Sequence, residues 1–436
     1  MRMSVIGCGY LGAVHAAAMA SLGHEVIGVD TDPAKIAALA AGRAPFFEPG
    51  LDELLAEGVR SGRLAFTDDF AAAAGAQVHF LAVGTPQLPD SSGADLRFVR
   101  TALASLVPHL RAGDVVAGKS TVPVGTAAGL LQAVAAAGAT LVWNPEFLRE
   151  GWAVQDTLHP DRLVVGAVDD EAGRRATDVL RAVFAAPIAA GSPFIATDLA
   201  TAELVKGAAN AFLATKISFI NAMAEIAEAS GADVTLLADA LGHDVRIGRR
   251  FLGAGIGFGG GCLPKDIRAF AARAEELGRG ASVGFLREVD AINLRRREHA
   301  VRLVVDAFGG SVVGRRITML GAAFKPHSDD VRDSPALDVA TRLRGLGAKV
   351  TVTDPEAIPN AAILHPQLKY VEDRDAAIRK ADALVLVTEW DLYRRELTPA
   401  HAASLARGRI VVDGRNCLDP VAWRDAGWTY LGMGRP

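Results

Sequence analysis

The chain reads as an α/β protein with two Rossmann-like, doubly wound domains joined by a long central helix and a helical middle domain. Three observations predict this. A strand, a glycine turn and a helix open the chain, and the strand–helix alternation of a parallel sheet follows. From about residue 198 the strands give way to long helical stretches, and from Arg316 the alternation resumes. The expected parts are 1–197, 198–308 and 309–436, in keeping with about 150 residues per domain.

Half of the residues are hydrophobic and 22% are charged, so sizeable cores are expected and global disorder is not. A net charge of -4 leaves no basic excess for nucleic acid or an anionic membrane, so an anionic ligand has to meet local positive charge. The three cysteines, Cys8, Cys262 and Cys417, are too few and too far apart for a disulfide framework or a metal knuckle, and suit a reducing compartment. The first residues enter a strand without a signal-peptide core, and no apolar run approaches ~18 residues, so a soluble cytoplasmic protein is expected.

Residues 3–6 form a short apolar strand, and Gly7-Cys8-Gly9-Tyr10-Leu11-Gly12 leads into an alanine-rich helix that stops at Gly23. The next strand, residues 25–30, carries Asp30 at its tip. Gly7, Gly9 and Gly12 suit the tight turn and the close approach of a pyrophosphate, the helix N-terminus suits its charge, and Asp30 suits the ribose hydroxyls. Strand before, helix after and acid at this distance set the motif apart from a structural glycine turn. The charge of Asp30 would repel a 2′-phosphate, which favours NAD over NADP. Cys8 reads as a small space-filler.

Strands at 78–83 and 114–118 end in Gly84-Thr85-Pro86 and Lys119-Ser120-Thr121-Val122-Pro123. Thr85 and Thr121 therefore fall at strand carboxyl ends, on the cofactor side, although either hydroxyl could instead cap its own turn. A strand at 141–144 is followed by Pro145-Glu146-Phe147-Leu148-Arg149-Glu150-Gly151. Glu146 and Glu150 would share a face if this segment were helical, offering two carboxylates for acid–base work; the alternative is an ordinary surface role.

One helix is expected from Asp198 to about Ser230, capped by Asp198 or Thr201 and stopped at Gly231. Lys206 and Asn210 are one turn apart on it, and the largely apolar neighbours of Lys206 call for a reason or a partner, against the ordinary reading of a solvated surface lysine. A second helix, about 284–307, places Leu286, Val289, Ile292 and Leu294 inward, while Arg295-Arg296-Arg297-Glu298 reads as a solvated or subunit-contact face. Long apolar helices of this kind suit a dimer core.

Between the two helices lies Gly255-Ile256-Gly257-Phe258-Gly259-Gly260-Gly261-Cys262-Leu263-Pro264-Lys265-Asp266. Such glycines let backbone approach a ligand closely. Pro264 suits the first turn of a helix ending at Gly278, which puts Cys262 beside a helix N-terminus, where the dipole and Lys265 favour a nucleophilic thiolate. Asp266 lies near enough to act as acid, base or orienting group. A buried, inert cysteine in a glycine turn is the alternative, against which the glycine density and the charged pair weigh.

The third part repeats a Rossmann-like half: strands at 316–321, 349–354, 383–387 and 409–413, and a helix opened by Pro335. It lacks the glycine fingerprint, so its ligand is expected to be something other than a dinucleotide. Lys325 and Arg415 follow strands and are candidates for holding a phosphate-bearing ligand, against an ordinary surface-charge reading.

Taken in order, Gly7 to Gly12, Gly84-Thr85-Pro86, Lys119 to Pro123, Asn144 to Gly151, the Lys206/Asn210 helix, Arg246-Ile247-Gly248, Gly255 to Asp266, Phe324-Lys325, Asp329 to Arg332 and Asp413 to Asn416 resemble the UDP-glucose/GDP-mannose dehydrogenase family over nearly the whole chain. The resemblance implies oxidation of a nucleotide-sugar C6 alcohol to a carboxylate with two NAD. It implies that Lys206, Asp266 and a water near Thr121 assist the first proton removal, that Cys262 forms a thiohemiacetal and then a thioester, and that Glu150 places the hydrolytic water. Glu146 and Asn210 then position substrate and stabilise oxyanion charge. The NAD contacts implied are Gly7, Gly9, Tyr10, Leu11, Gly12, Asp30, Lys35, Thr85, Thr121, Glu150 and Arg332. The substrate contacts implied add Phe147, Leu148, Phe251, Gly255, Gly259, Phe324, Lys325 and Arg415 to Glu146, Lys206 and Asn210, with Arg246 reaching the neighbouring site of a homodimer. No metal is implied. Gly207 and Ala222 depart from frequent family residues. Lys265 argues against the N-acetylhexosamine branch, and Gly255-Ile256-Gly257 favours the UDP-glucose over the GDP-mannose branch, the latter remaining the alternative substrate.

Overall fold

A computed structural model describes every residue, Met1–Pro436. The chain divides into two compact units, Met1–Ala209 with Ala272–Gly278, and Asn210–Ala271 with Arg279–Pro436.

The first unit holds β1 (Arg2–Ile6), β2 (Glu25–Val29), β3 (Leu64–Thr67), β4 (Val78–Leu81), β5 (Val115–Gly118), β6 (Thr140–Trp143), β7 (Leu163–Gly166) and β8 (Phe194–Thr197), in the sheet order β3-β2-β1-β4-β5-β6-β7-β8. All neighbours are parallel except β6 and β7. Side chains alternate between two cores, as a strand covered on both faces requires. Met3, Val5, Val78, Phe80 and Val142 enter one core; Ile6, Leu81, Val116, Leu141 and Trp143 enter the other. The order reverses between β1 and β4, which opens the crevice at their carboxyl ends where the glycine turn emerges.

The second unit repeats the order with β9 (Arg316–Leu320), β10 (Lys349–Thr353), β11 (Lys369–Tyr370), β12 (Ala383–Leu386), β13 (Ile410–Asp413) and β14 (Thr429–Gly432), arranged β11-β10-β9-β12-β13-β14 and parallel throughout. Its core is apolar on both faces, with Met319, Leu384, Val385, Val411 and Val412 shielded from solvent.

The long helix runs Leu199–Ser230, and Asp198 caps it by accepting the Thr201 N–H at 2.8 Å. No helix is long and apolar enough to cross a membrane. The helix Phe285–Ala307 corrects one expectation. Arg296 is 0% and Arg297 3% exposed, so the middle of the charged run is interior, whereas Leu294 is 36% exposed. At roughly 100° per residue, Arg296 and Arg297 fall on the same stripe as Leu286, Val289 and Asn293, and Leu294 falls off it. Each buried cation has a partner: Arg296 binds Glu228 at 2.7 Å, and Arg297 binds Asp333 at 2.7 Å.

Candidate active site

The fingerprint takes the expected shape. Gly7 has φ +90°, a backbone that favours glycine, and a Cβ on Gly12 would lie 1.8 Å from the Gly7 carbonyl oxygen. The helix Tyr10–Ser21 starts at the Gly9 cap, and a Cβ on Gly9 would meet nothing within 4 Å, which leaves room for a pyrophosphate. Asp30 Oδ2 accepts the Cys8 N–H and the Lys35 ammonium, both at 2.8 Å, so Asp30 and Lys35 come together at the mouth of the turn, and Leu11 packs beside the core below it. Cys8 fills the interior, its thiol pushed up by burial and then by the Asp30 charge. Thr85 does not cap its own turn: its hydroxyl donates to the Thr121 carbonyl at 2.7 Å, bringing together the loops after β4 and β5.

The segment after β6 is not helical, which corrects the shared-face reading of Glu146 and Glu150. Glu146 folds back on its own loop, its Oε1 accepting the N–H groups of Phe147 (2.8 Å) and Leu148 (3.1 Å), while its Oε2 pairs with Lys119 at 2.8 Å. Lys119 is 3% exposed, donates to Asn144 at 3.2 Å, and lies 5.8 Å from the rings of Phe80 and Phe184. Burial opposes ionisation of Glu146, yet Lys119, the Phe147 N–H and Lys206 outweigh it and hold the carboxyl below its usual range. Lys206 is half-buried, its ammonium 5.5 Å from the centre of the Phe147 ring, whose face Arg162 approaches to 3.9 Å. Glu150 is buried in a turn with Gly151, which has φ +77°.

Three carboxylate and cation anchors in this unit escaped the sequence reading. Besides Lys119, buried Glu203 accepts the N–H groups of Gly125 (2.7 Å) and Ala127 (2.6 Å), fastening the loop after Thr121. Buried Glu48 accepts from Gly151 (2.6 Å), from Ala153 (2.7 Å) and from the Tyr10 hydroxyl. The buried positions follow from long-range folding; the only sequence signals were an acid inside an apolar stretch and a lysine directly after a strand.

The helix Leu263–Glu276 starts with Pro264 in its first turn, and the Cys262 carbonyl accepts the Asp266 N–H at 2.9 Å. Cys262 is therefore the N-cap residue, and its side chain is exposed. Asp266 is buried, accepts from Asn210 at 2.6 Å and from Lys265 at 2.5 Å, and so brings together three of the expected residues. The glycines ahead of the cysteine admit the protein's own chain. A Cβ would come within 2.4 Å of the Gly414 oxygen at Gly255, 2.2 Å of Asn293 at Gly257, 2.2 Å of the Asp333 oxygen at Gly259, 2.8 Å of Phe324 at Gly260 and 2.2 Å of Arg332 at Gly261. Asn293 accepts from the Phe258 N–H and donates to the Phe258 carbonyl, clamping the loop from inside.

Arg415 spans three backbone carbonyls, donating to Val387 (2.8 Å), Gly257 (2.9 Å) and Phe324 (2.9 Å). It braces the glycine loop as well as lying at a strand end. Lys325 Nζ stands 5.3 Å from the Phe324 ring, and Arg332 is held against Gly261 by a bidentate pair with Asp330. Arg246 is 86% exposed and bonded to Asp244, and Phe251 has φ +66°.

Comparison with known proteins matches three segments to models of one family, the UDP-glucose/GDP-mannose dehydrogenases: the NAD binding domain over residues 1–185, the central domain over 200–295 and the UDP binding domain over 318–420. The chain is 43% identical over 441 residues to a UDP-glucose 6-dehydrogenase of Rhizobium meliloti, with all of both chains covered. It is 41% identical to the Bacillus subtilis UDP-glucose 6-dehydrogenase TuaD, covering all of this chain and 93% of that one. A UDP-glucose dehydrogenase from Pyrobaculum islandicum superposes with a TM-score of 0.90 at 40% identity, covering all of this chain and 98% of that one.

Proposed function

We propose that this chain, which belongs to the UDP-glucose/GDP-mannose dehydrogenase family, oxidises UDP-glucose to UDP-glucuronate with two NAD. The observation that carries the reading is Cys262, an exposed sulfur at a helix N-cap beside the Asn210–Asp266 pair, a nucleophile that a two-electron alcohol oxidation does not need.

NAD supplies a hydride acceptor for each oxidation, and the glycine turn with Asp30 and Lys35 suits its pyrophosphate and ribose. In the first oxidation C6 loses a hydride while its hydroxyl proton passes to a base, a step that Lys206, Asp266 and a water near Thr121 assist in this reading. The Cys262 thiolate adds to the aldehyde carbon and gives a thiohemiacetal, with Asn210 donating to the oxygen as charge develops. Loss of a second hydride from the oxyanion of this adduct leaves a thioester. Water then attacks its carbonyl and passes one proton toward Glu150, the C–S bond breaks to release the Cys262 thiolate, and the carboxylic acid formed loses its remaining proton to solvent. Covalent attachment keeps the aldehyde from escaping between the oxidations. Glu146 with Phe147 and Leu148, and Phe251, Phe324, Lys325 and Arg415, line the sugar-nucleotide contacts in this reading; Tyr10, Leu11, Thr85 and Arg332 serve NAD. A homodimer in which Arg246 reaches the neighbouring site, and a cytoplasmic location, complete it.

The test is NADH formed per UDP-glucose with sugar limiting. Two NADH are expected, with no product carboxylate from Cys262→Ser. One NADH per sugar, or an unaffected variant, would overturn the mechanism, and turnover of GDP-mannose alone would overturn the substrate.

A further inference from the structure

Glu150 sits in a turn that has no helix or strand of its own to hold it. Its neighbour Gly151 donates its N–H at 2.6 Å to Glu48 Oε2 and at 3.0 Å to the Tyr10 hydroxyl oxygen. The Tyr10 hydroxyl in turn donates to the same Glu48 oxygen. The other oxygen, Glu48 Oε1, accepts the Ala153 N–H at 2.7 Å, in the first turn of the helix Ala153–Leu158. Glu48 is 6% exposed, so a single buried carboxylate grips the backbone on both sides of Gly151–Trp152. Tyr10 is a fingerprint residue, its ring tilted at 41° against that of Phe46, two positions before Glu48, with centroids 4.7 Å apart. The latch thus joins the cofactor turn to the Glu150 turn inside one unit.

We propose that Glu48, acting with Tyr10, is a positioning residue that orients the Glu150 carboxylate for hydrolysis of the thioester. The proposal rests on the mechanism above, in which water adds to the acyl carbon, its proton passes toward Glu150, the C–S bond breaks and the sulfur leaves as thiolate. The chemistry of the latch requires a group that accepts at both oxygens. An amide accepts at one only, so Glu48→Gln turns an N–H toward a backbone N–H and loosens the turn. Tyr10→Phe removes one hydroxyl and leaves both Glu48–backbone bonds in place.

The experiment is rapid mixing of the full-length enzyme with UDP-glucose and NAD, followed as NADH absorbance and as intact mass after acid quenching. In both variants a burst of two NADH per site is expected, then steady turnover slowed at least about tenfold for Glu48→Gln and about threefold for Tyr10→Phe. The Cys262 acyl adduct should accumulate, and a shift in the pH profile of the slow phase should accompany it. Soluble variants with a raised KM for NAD and no adduct would overturn the proposal, since the latch would then serve the cofactor turn alone. Wild-type turnover with no adduct in either variant would overturn it as well. If Glu48→Gln fails to fold, Tyr10→Phe decides by the same criteria. A wild type yielding fewer than two NADH per UDP-glucose would instead overturn the mechanism on which the proposal rests.

Discussion

Two sheets of the same order treat the acid at the tip of their second strand in opposite ways. Asp30, after β2, accepts from Cys8 and Lys35 and keeps 10% of its side chain open at the glycine turn. Asp354, after β10, is 2% exposed; its Oδ2 accepts from Ala322 (2.7 Å), Ala323 (3.0 Å) and the Trp390 indole (3.1 Å), and its Oδ1 from Glu356 and Ala357. The first acid is left with capacity for a ligand and the second is used up as a strut. The difference lies in the mouth. Gly7 to Gly12 hold it open in one half, whereas Ala322, Ala323 and Trp390 fill it in the other, so one topology yields a dinucleotide crevice once only.

Perturbing each half separately sharpens this contrast. The largest effect is expected from Cys262→Ala, which should lower UDP-glucuronate formation by about 10^3-fold or more while NAD affinity, a property of the first half, stays within about twofold. Calorimetric titration with NAD checks the second figure, and a lost affinity would mean that the halves are not independent. Next, Asp354→Ala should destabilise the protein by about 3 kcal/mol or more in urea unfolding, because four buried donors and one half-buried one lose their acceptor. Asp30→Ala at the matching position should cost about 1 kcal/mol but raise KM for NAD about tenfold, roughly 1.4 kcal/mol of binding. Equal stability losses at the two positions would erase the distinction between ligand site and strut.

The smallest effect concerns acid. Burial opposes ionisation of Glu228, but the His299 ring 3.1 Å away and the Arg296 guanidinium bring its pKa down from 4.5 to about 2. A carboxyl depressed on folding stabilises fully above pH 4.5, and that contribution is lost as pH falls toward 2. Glu203, in the first half, is shifted the other way by burial, so its term improves on acidification. Thermal melting from pH 6 to pH 3 should show a shallower acid loss in Glu228→Gln than in the wild type, and a steeper one in Glu203→Gln, which has lost the opposing contribution. A reversed ranking would contradict these assignments.

Much of this was legible in the residues, wherever close packing or strand ends force a local pattern. The glycine turn, Asp30, the cap at Asp198 and the cysteine at a helix start all depend on neighbours within a few positions. The rest depends on partners far along the chain. Arg296 meets Glu228 across 68 positions, and Glu48 meets Ala153 across 105. A run of charges reads as solvated unless its phase on the helix is followed, and the phase of Arg296 and Arg297 with Val289 was available. The 144–150 segment misled for another reason: the spacing of Glu146 and Glu150 suits a helix, but the Glu146 carboxylate takes the N–H groups that a helix would need.

The glycines from Gly255 to Gly261 carry a lesson for anyone who would transplant the reactive sulfur. Each is small because a particular atom of another segment already occupies the space where its side chain would stand. A graft of Gly255 to Asp266 onto a foreign scaffold would copy the sequence and the helix start but leave behind Gly414, Asn293, Asp333, Phe324 and Arg332. The loop would arrive as a floppy tether. What is portable is the seven-residue loop with its five glycines together with the five surfaces it was moulded against, and a designer would have to move them as one piece.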